Sequence, residues 1–306
     1  MSRRGGRGAS GPWGRLKPVN LDPLEAIGLP SKGDKRLLNF KEQEKYYSKI
    51  VERYMAFCSS AGRGDELARR LAQLEISKGD LDSDIRQSHT APSSITLSTN
   101  QVPTDLDLDS QKDLAVLILA TRKLREGIVA SSRIDTFSIQ AYIFCIRFAI
   151  LAKNMESYHP ALLHVLRKMH PVKPLAATDL QELVGYLVLD LACRQKDLAQ
   201  AYKVRYQYKL HDSKIYAVLQ SLSHGNFISF WRVKLDVDGH KAKLMEFAEE
   251  DMRDQTLKSL ARSYFSIDLP FLEKATGCSW QELIKEHSVG WQLEGSKLII
   301  RKPKAR

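Results

Sequence analysis

Cysteine is scarce in this 306-residue chain, and the four present, Cys58, Cys145, Cys193 and Cys278, lie far apart. Such spacing leaves neither a disulfide framework nor a CxxC ligand pair, and it fits a reducing compartment. Long apolar runs are also missing. The strongest, residues 141–152, falls short of the roughly 20 residues a membrane helix needs and is interrupted by Arg147, so it reads as a buried core helix. The first residues, Met1-Ser-Arg-Arg-Gly-Gly-Arg-Gly, lack the apolar stretch of a secretory signal. The expectation is a nuclear protein, also present in the cytoplasm, with no membrane association.

Catalytic signatures are absent as well: no GxxxxGK[ST], no GxSxG and no HExxH occurs. Asp105, Asp107, Asp109 and Asp113 alternate ahead of an apolar run, but without the Gly and terminal Glu that close a calcium loop. They suit the positive end of a helix instead. Asp236-Val-Asp-Gly239 places its Gly too early for such a loop and has Lys241 and Lys243 where later ligands belong, so it reads as a turn between helices. His159, His164 and His170 do not put three imidazoles on one helix face, and satisfied surface or core histidines are expected. The chain is therefore expected to be no enzyme, and to use no cofactor, no metal and no small-molecule substrate.

What is present is a globular composition, 43% hydrophobic, with a formal net charge of +11. A positive surplus draws anionic partners, whether nucleic acid, acidic protein or anionic lipid, without choosing among them. Residues 1–31 are rich in Gly, Pro, Ser and Arg and read as a disordered basic arm. Amphipathic helices are expected within 32–80, first over 35–59 and then over 65–77, followed by a polar linker to 109. From 110 to 253 the helical period is nearly continuous and broken into short units: 110–129, 134–153, 160–169, 179–194, 197–210, 213–224 and 226–235, with a last one from 241 that runs on to 264. Short helices joined by tight turns stack into a right-handed, TPR-like helical solenoid or bundle, although no repeat of fixed length is visible.

The end of the chain differs. A short helix over 268–277 has Pro270 in its first turn and Gly277 as its stop, and a second over 279–286 has Ser279 as cap with Glu282 three residues on. Strands at 290–293 and 297–301 flank Glu294-Gly-Ser296, a hairpin composition. With the preceding long helix these make a winged helix over 254–302, ahead of a basic tail, 303–306. The fold class read here is all-α, a helical repeat closed by a winged helix with a small β-hairpin. Its core is expected from Leu257, Leu260, Tyr264, Leu269, Pro270, Leu272, Leu283, Trp291 and Ile299, and Phe227, Phe230, Trp231 and Tyr216 are read as packing between helices. Glu282 and Glu286 on the third helix disfavour major-groove reading. The candidate nucleic-acid contacts are Arg3, Arg4 and Arg7 in the arm and Lys297, Arg301, Lys302 and Lys304 on the wing, with Arg306 beyond.

Residues 180–302 resemble the PCI proteins, scaffolds shared by the proteasome lid, the signalosome and an initiation-factor complex, and among them the GANP-type branch of mRNA export and processing. The likeness is carried by His224-Gly-Asn-Phe-Ile-Ser-Phe-Trp-Arg232, by the linking helix over 244–265 with Leu257, Leu260 and Tyr264, and by Leu269-Pro270-Phe271-Leu272. Val233-Lys234 stand where that family has Leu-Tyr, and residues 1–110 show no match. The resemblance implies a non-catalytic scaffold subunit whose winged helix pairs edge to edge with another PCI-domain subunit, with a small acidic protein as a further partner; RNA contact is expected through the basic wing and arm. A stand-alone nucleic-acid-binding winged helix is the rival; exposed apolar side chains surviving on the winged helix would separate the two.

Overall fold

The computed structural model describes residues 22–60, 105–287 and 289–301. Arg3, Arg4, Arg7, Lys302, Lys304, the helix expected over 65–77 and most of the linker lie outside them. The described residues fall into two compact units, 22–60 with 105–132, and 133–301.

The first unit is built on α1 (Phe40–Ser60) and α2 (Asp105–Ala130). Leu37, Tyr46, Ile50 and Phe57 are buried with Leu117, Leu124 and Ile128. Gly127 lets the chain approach closely: a Cβ there would stand 2.7 Å from Leu37 Cβ. Buried Gln43 satisfies the junction, its Nε2 donating to the carbonyls of Leu37 and Gly127 and to Ser131 Oγ. Two expectations need correction. Residues 22–31, read as part of the arm, carry structure because Leu24 and Ile27 are buried and Tyr46 Oη and Lys123 Nζ donate to the Leu24 carbonyl. The helix assigned to the start of the solenoid belongs with α1.

In the second unit, α3 (Thr136–Leu151), α4 (Met155–His164), α5 (Ala177–Leu189), α6 (Leu198–Gln207), α7 (Ser213–His224), α8 (Phe227–Asp236) and α9 (Gly239–Met245) follow one another through tight turns. The joints share a construction. A residue in the left-handed region ends one helix (Lys153, Lys196, Lys209 or Gly225), and an Asp or Asn one to three residues later caps the next. Asn154, Asp197, Asp212 and Asn226 each accept a backbone N–H of the first turn, satisfying donors that would otherwise be orphaned. α4 therefore starts at Met155, five residues before the expected Pro160, because Asn154 supplies the cap. α4 and α5 each run on into a π-helical turn, Val165–Met169 and Asp190–Arg194.

A turn at Glu246–Ala248 leads to α10 (Glu249–Ser263) and then to β1 (Ser266–Asp268), α11 (Leu269–Thr276), α12 (Trp280–His287), β2 (Gln292–Glu294) and β3 (Lys297–Ile299). The strands pair antiparallel in the order β1-β3-β2, with Ile267 and Leu293 both opposite Leu298. Helix, strand, two helices and a hairpin, with the first strand beside the last, is a winged helix closing a helical solenoid. β1 was not expected; at three residues it carries too little alternation to be read. The core is Leu257, Leu260, Ile267, Leu272, Leu283 and Leu298, with Leu269, Trp280 and Trp291 half-buried against it. Phe230 is fully buried, and Phe227 and Trp231 are half-buried on α8. Three core assignments are corrected. Ile299 is only half-buried, because the pleat that turns Leu298 inward turns both neighbours out. Tyr264 is 48% exposed, since the chain has already left the helix for extended backbone there. Pro270, in the first turn of α11, faces water.

Candidate docking face of the winged helix

Pleating puts Ser266, Asp268, Gln292, Glu294, Lys297 and Ile299 on the face of the sheet away from the core. Lys297 lies directly between Asp268 and Glu294 on the neighbouring strands, so both of its cross-strand neighbours are acidic. Arg301 is engaged too: its Nη2 donates to the Arg262 carbonyl at 3.0 Å, and its guanidinium lies 4.7 Å over the Phe265 ring. Within the described part of the basic strip, Lys297 thus has acidic residues on both sides in register and Arg301 is drawn back onto the chain, though neither forms an ion pair among the described residues. On α12, Glu282 Oε2 accepts from Ser279 N at 2.9 Å while Ser279 Oγ receives Glu282 N, the expected reciprocal cap. These bonds, the Ser279 N–H first, hold the Glu282 carboxyl below its ordinary range, so a charge repelling phosphate stands at the helix start.

Apolar side chains, by contrast, stay in water around the sheet. Tyr264 and Phe265 precede edge strand β1, Leu293 lies on edge strand β2 at 45% exposure, and Phe271 and Ile284 are exposed on α11 and α12. The outer edges of β1 and β2 have no strand partner among the described residues. Unpaired edges flanked by exposed aromatic and aliphatic groups suit association with another chain.

The winged helix is fixed to the solenoid by Trp231. Its ring meets Phe230 edge-on and carries the Arg253 guanidinium at 5.4 Å and the Lys234 ammonium at 5.7 Å. Gly277, in the left-handed region, lets α11 end against it: a Cβ would come within 2.8 Å of the indole. Lys234 pairs with Glu249.

The histidines are dispersed into separate contacts. His159 Nδ1 lies 2.9 Å from Asp190 Oδ2, the His164 ring stacks on Tyr142, and His170 Nδ1 accepts the Leu175 N–H. Asp238 of the 236–239 stretch caps α9. Among the described residues no group of three or more potential ligands gathers for a metal ion, and no helix is long and apolar enough to cross a membrane. Sequence reasoning missed two polar clusters. In one, Asp190, fully buried, accepts from Tyr158 Oη, Arg194 Nε and Gln195 Nε2 at 2.6, 2.6 and 2.8 Å. In the other, Arg147 Nε and Nη2 grip Glu182 at 2.7 Å each, Tyr186 donates to the same carboxylate, and Lys241 pairs with Asp212 beside a His240 that burial pushes below its usual pKa. Neither announces itself in sequence, because partners 29 to 35 residues apart meet only through helix packing.

Residues 196–306 match the model of the CSN8/PSMD8/EIF3K family. This is a PCI-type family, and the match runs from the turn before α6 to the last residue, just over a third of the chain. No curated protein matches the chain. The comparison agrees with the resemblance at the level of PCI-type proteins; the GANP-type branch is a finer assignment.

Proposed function

We propose that this chain is a non-catalytic PCI-type scaffold subunit of a multiprotein complex, docking on another PCI-domain subunit through the open edges of its winged helix. The observation that carries the reading is the set of exposed apolar residues at those edges, Phe265 and Leu293 foremost, on a segment that matches a PCI-type family. A monomeric nucleic-acid reader would keep that surface polar. The GANP-like features at 224–232 and 269–272 support a role in nuclear mRNA processing or export, with a small acidic protein as a further partner. The family match favours a second reading of the same class, a subunit of a proteasome-lid, signalosome or initiation-factor-like complex.

Affinity purification of the tagged chain from its own cells tests both. The expected result is a stoichiometric PCI-domain partner, lost when Phe265 and Leu293 are both changed to Asp, and the companions identified select the complex. Recovery of the chain alone, or a partner indifferent to those substitutions, would overturn the proposal.

A further inference from the structure

The α6–α7 hairpin carries a surface that the winged-helix reading does not use. Between Leu198 and Tyr216 stand four cations, Lys203, Arg205, Lys209 and Lys214, against one carboxylate, Asp212. That carboxylate is spent internally: Oδ1 accepts the Lys214 and Ile215 N–H groups at the start of α7, and Oδ2 pairs with Lys241 at 2.8 Å. Lys214 is paired with Asp236 at 3.0 Å. Lys203, Arg205 and Lys209 make no ion pair among the described residues.

Aromatic rings lie among these cations. α6 buries only Ala201 and Val204; Tyr202 and Arg205 are half-buried, and Tyr206 lies nearly opposite the buried pair. Tyr206 is 78% exposed, far more than packing would leave an aromatic ring. The Arg205 guanidinium sits 4.5 Å over Tyr216, a ring itself 37% exposed and held by Gln220 Nε2 at 3.0 Å, and Arg205 Nε is buried with no hydrogen-bond partner. The hairpin is held in place: Gln181 binds the Lys209 carbonyl and the His211 N–H, so the loop after α6 is tied to α5.

We infer that this hairpin binds single-stranded nucleic acid, its bases stacking on Tyr206 and Tyr216 and its phosphates meeting Lys203, Arg205 and Lys209. Every base has a π-face and every linkage a charge, so rings set among unpaired cations on a rigid support hold a single strand with little sequence preference. An acidic protein would use the cations but gains little from a solvent-facing ring, and a duplex would offer Tyr206 no open base.

The test uses the full chain and a fluorescein-labelled oligouridylate of about 15 nucleotides, read by fluorescence anisotropy over a salt series. Tyr206→Ala is expected to weaken binding roughly 5- to 150-fold, with Tyr206→Phe close to wild type. Removing both Lys203 and Lys209 as Ala should flatten the slope of log K against log salt by about 1.4. All these side chains are exposed, and an unchanged thermal unfolding midpoint confirms folding. Wild-type affinity in Tyr206→Ala and in the lysine variant would overturn the inference. So would polyglutamate binding that depends on the lysines but not on Tyr206, which would mark an acidic-protein site. Neither outcome moves the partner recovery that tests the docking proposal, so the two fail separately.

Discussion

Replacing Asp190 by Asn tests whether a buried carboxylate holds the π-helical turn that leads into α6. Asp190 is fully buried, and besides the Tyr158, Arg194 and Gln195 bonds it takes a second contact from Arg194, Nη2 at 2.7 Å. Asn is nearly isosteric, but it sets an NH2 against donors where an oxygen had accepted. Breaking a buried ion pair by removing one partner costs about 3 to 5 kcal/mol. Arg194 is 22% exposed and recovers some hydration, so the loss should lie near the lower end, about 3 kcal/mol. Urea unfolding followed by circular dichroism should show a lower midpoint with an unchanged m-value. The effect also has a pH signature. Burial alone raises the Asp190 pKa, but the bonds from Arg194, Tyr158 and Gln195 outweigh it and hold the carboxyl below its ordinary value. A depressed folded pKa contributes stability fully present above the unfolded value of about 3.9 and lost as pH falls through the lower folded one. The gap between wild type and Asp190→Asn should therefore close under acid. A cost below about 1 kcal/mol at neutral pH, or a gap that persists in acid, would show that the turn does not depend on this charge.

Three further outcomes are expected. Leu260→Ala and Leu298→Ala should each cost about 2 to 5 kcal/mol in chemical denaturation, whereas Ile299→Ala, one residue on but turned outward, should cost clearly less; equal losses at 298 and 299 would contradict the strand register. Gly277→Ala should destabilise by about 1 to 3 kcal/mol, because the left-handed backbone and the Trp231 indole both oppose a Cβ, and differential scanning calorimetry would show it as a lower Tm. Lys297→Glu should cost about 0.2 to 1 kcal/mol by placing like charges side by side across β1, β3 and β2, yet leave oligouridylate affinity unchanged in the anisotropy assay.

The helical body was legible in outline because burial imposes a 3.6-residue period that Leu, Ile, Val and aromatic side chains report directly. Pro270, Gly277 and the Ser279-Glu282 pair placed α11 and α12 to within a residue, since caps and stops act locally. Three features stayed hidden for separate reasons. β1 is too short to alternate. The packing of residues 22–31 depends on Tyr46 and Lys123, contacts 22 and 99 residues away in sequence. The repeat of the solenoid resides in its joints, Lys153-Asn154, Lys196-Asp197, Lys209 to Asp212 and Gly225-Asn226, and in the first three of them lysine takes the left-handed position that composition would give to glycine. The basic strip was visible as charge, but what Lys297 and Arg301 face depends on register and on a turn.

The same joints explain where free positive charge appears on the solenoid. An Asp at a helix start, as at Asp197, Asp212 and Asp238, lies in the favourable field of the dipole and spends one oxygen on backbone N–H groups. Asp212 and Asp238 give their other oxygen to the half-buried Lys241, so these caps stabilise the fold while offering little to the exposed Lys203 and Lys209. Asp190 and Glu182 are likewise consumed inside the unit, by Arg194 and Arg147. Cations on the outer turns then remain uncompensated wherever no carboxylate reaches them from a neighbouring helix. Lys196 finds Asp251 and Lys153 finds Glu246, both from the segment that follows α9. Lys203 and Lys209 have no such neighbour, and the rings of Tyr206 and Tyr216 lie on the same hairpin. The surplus on α6–α7 is thus a consequence of how the helices are capped, which is why a count of charges along the chain pointed to its ends instead.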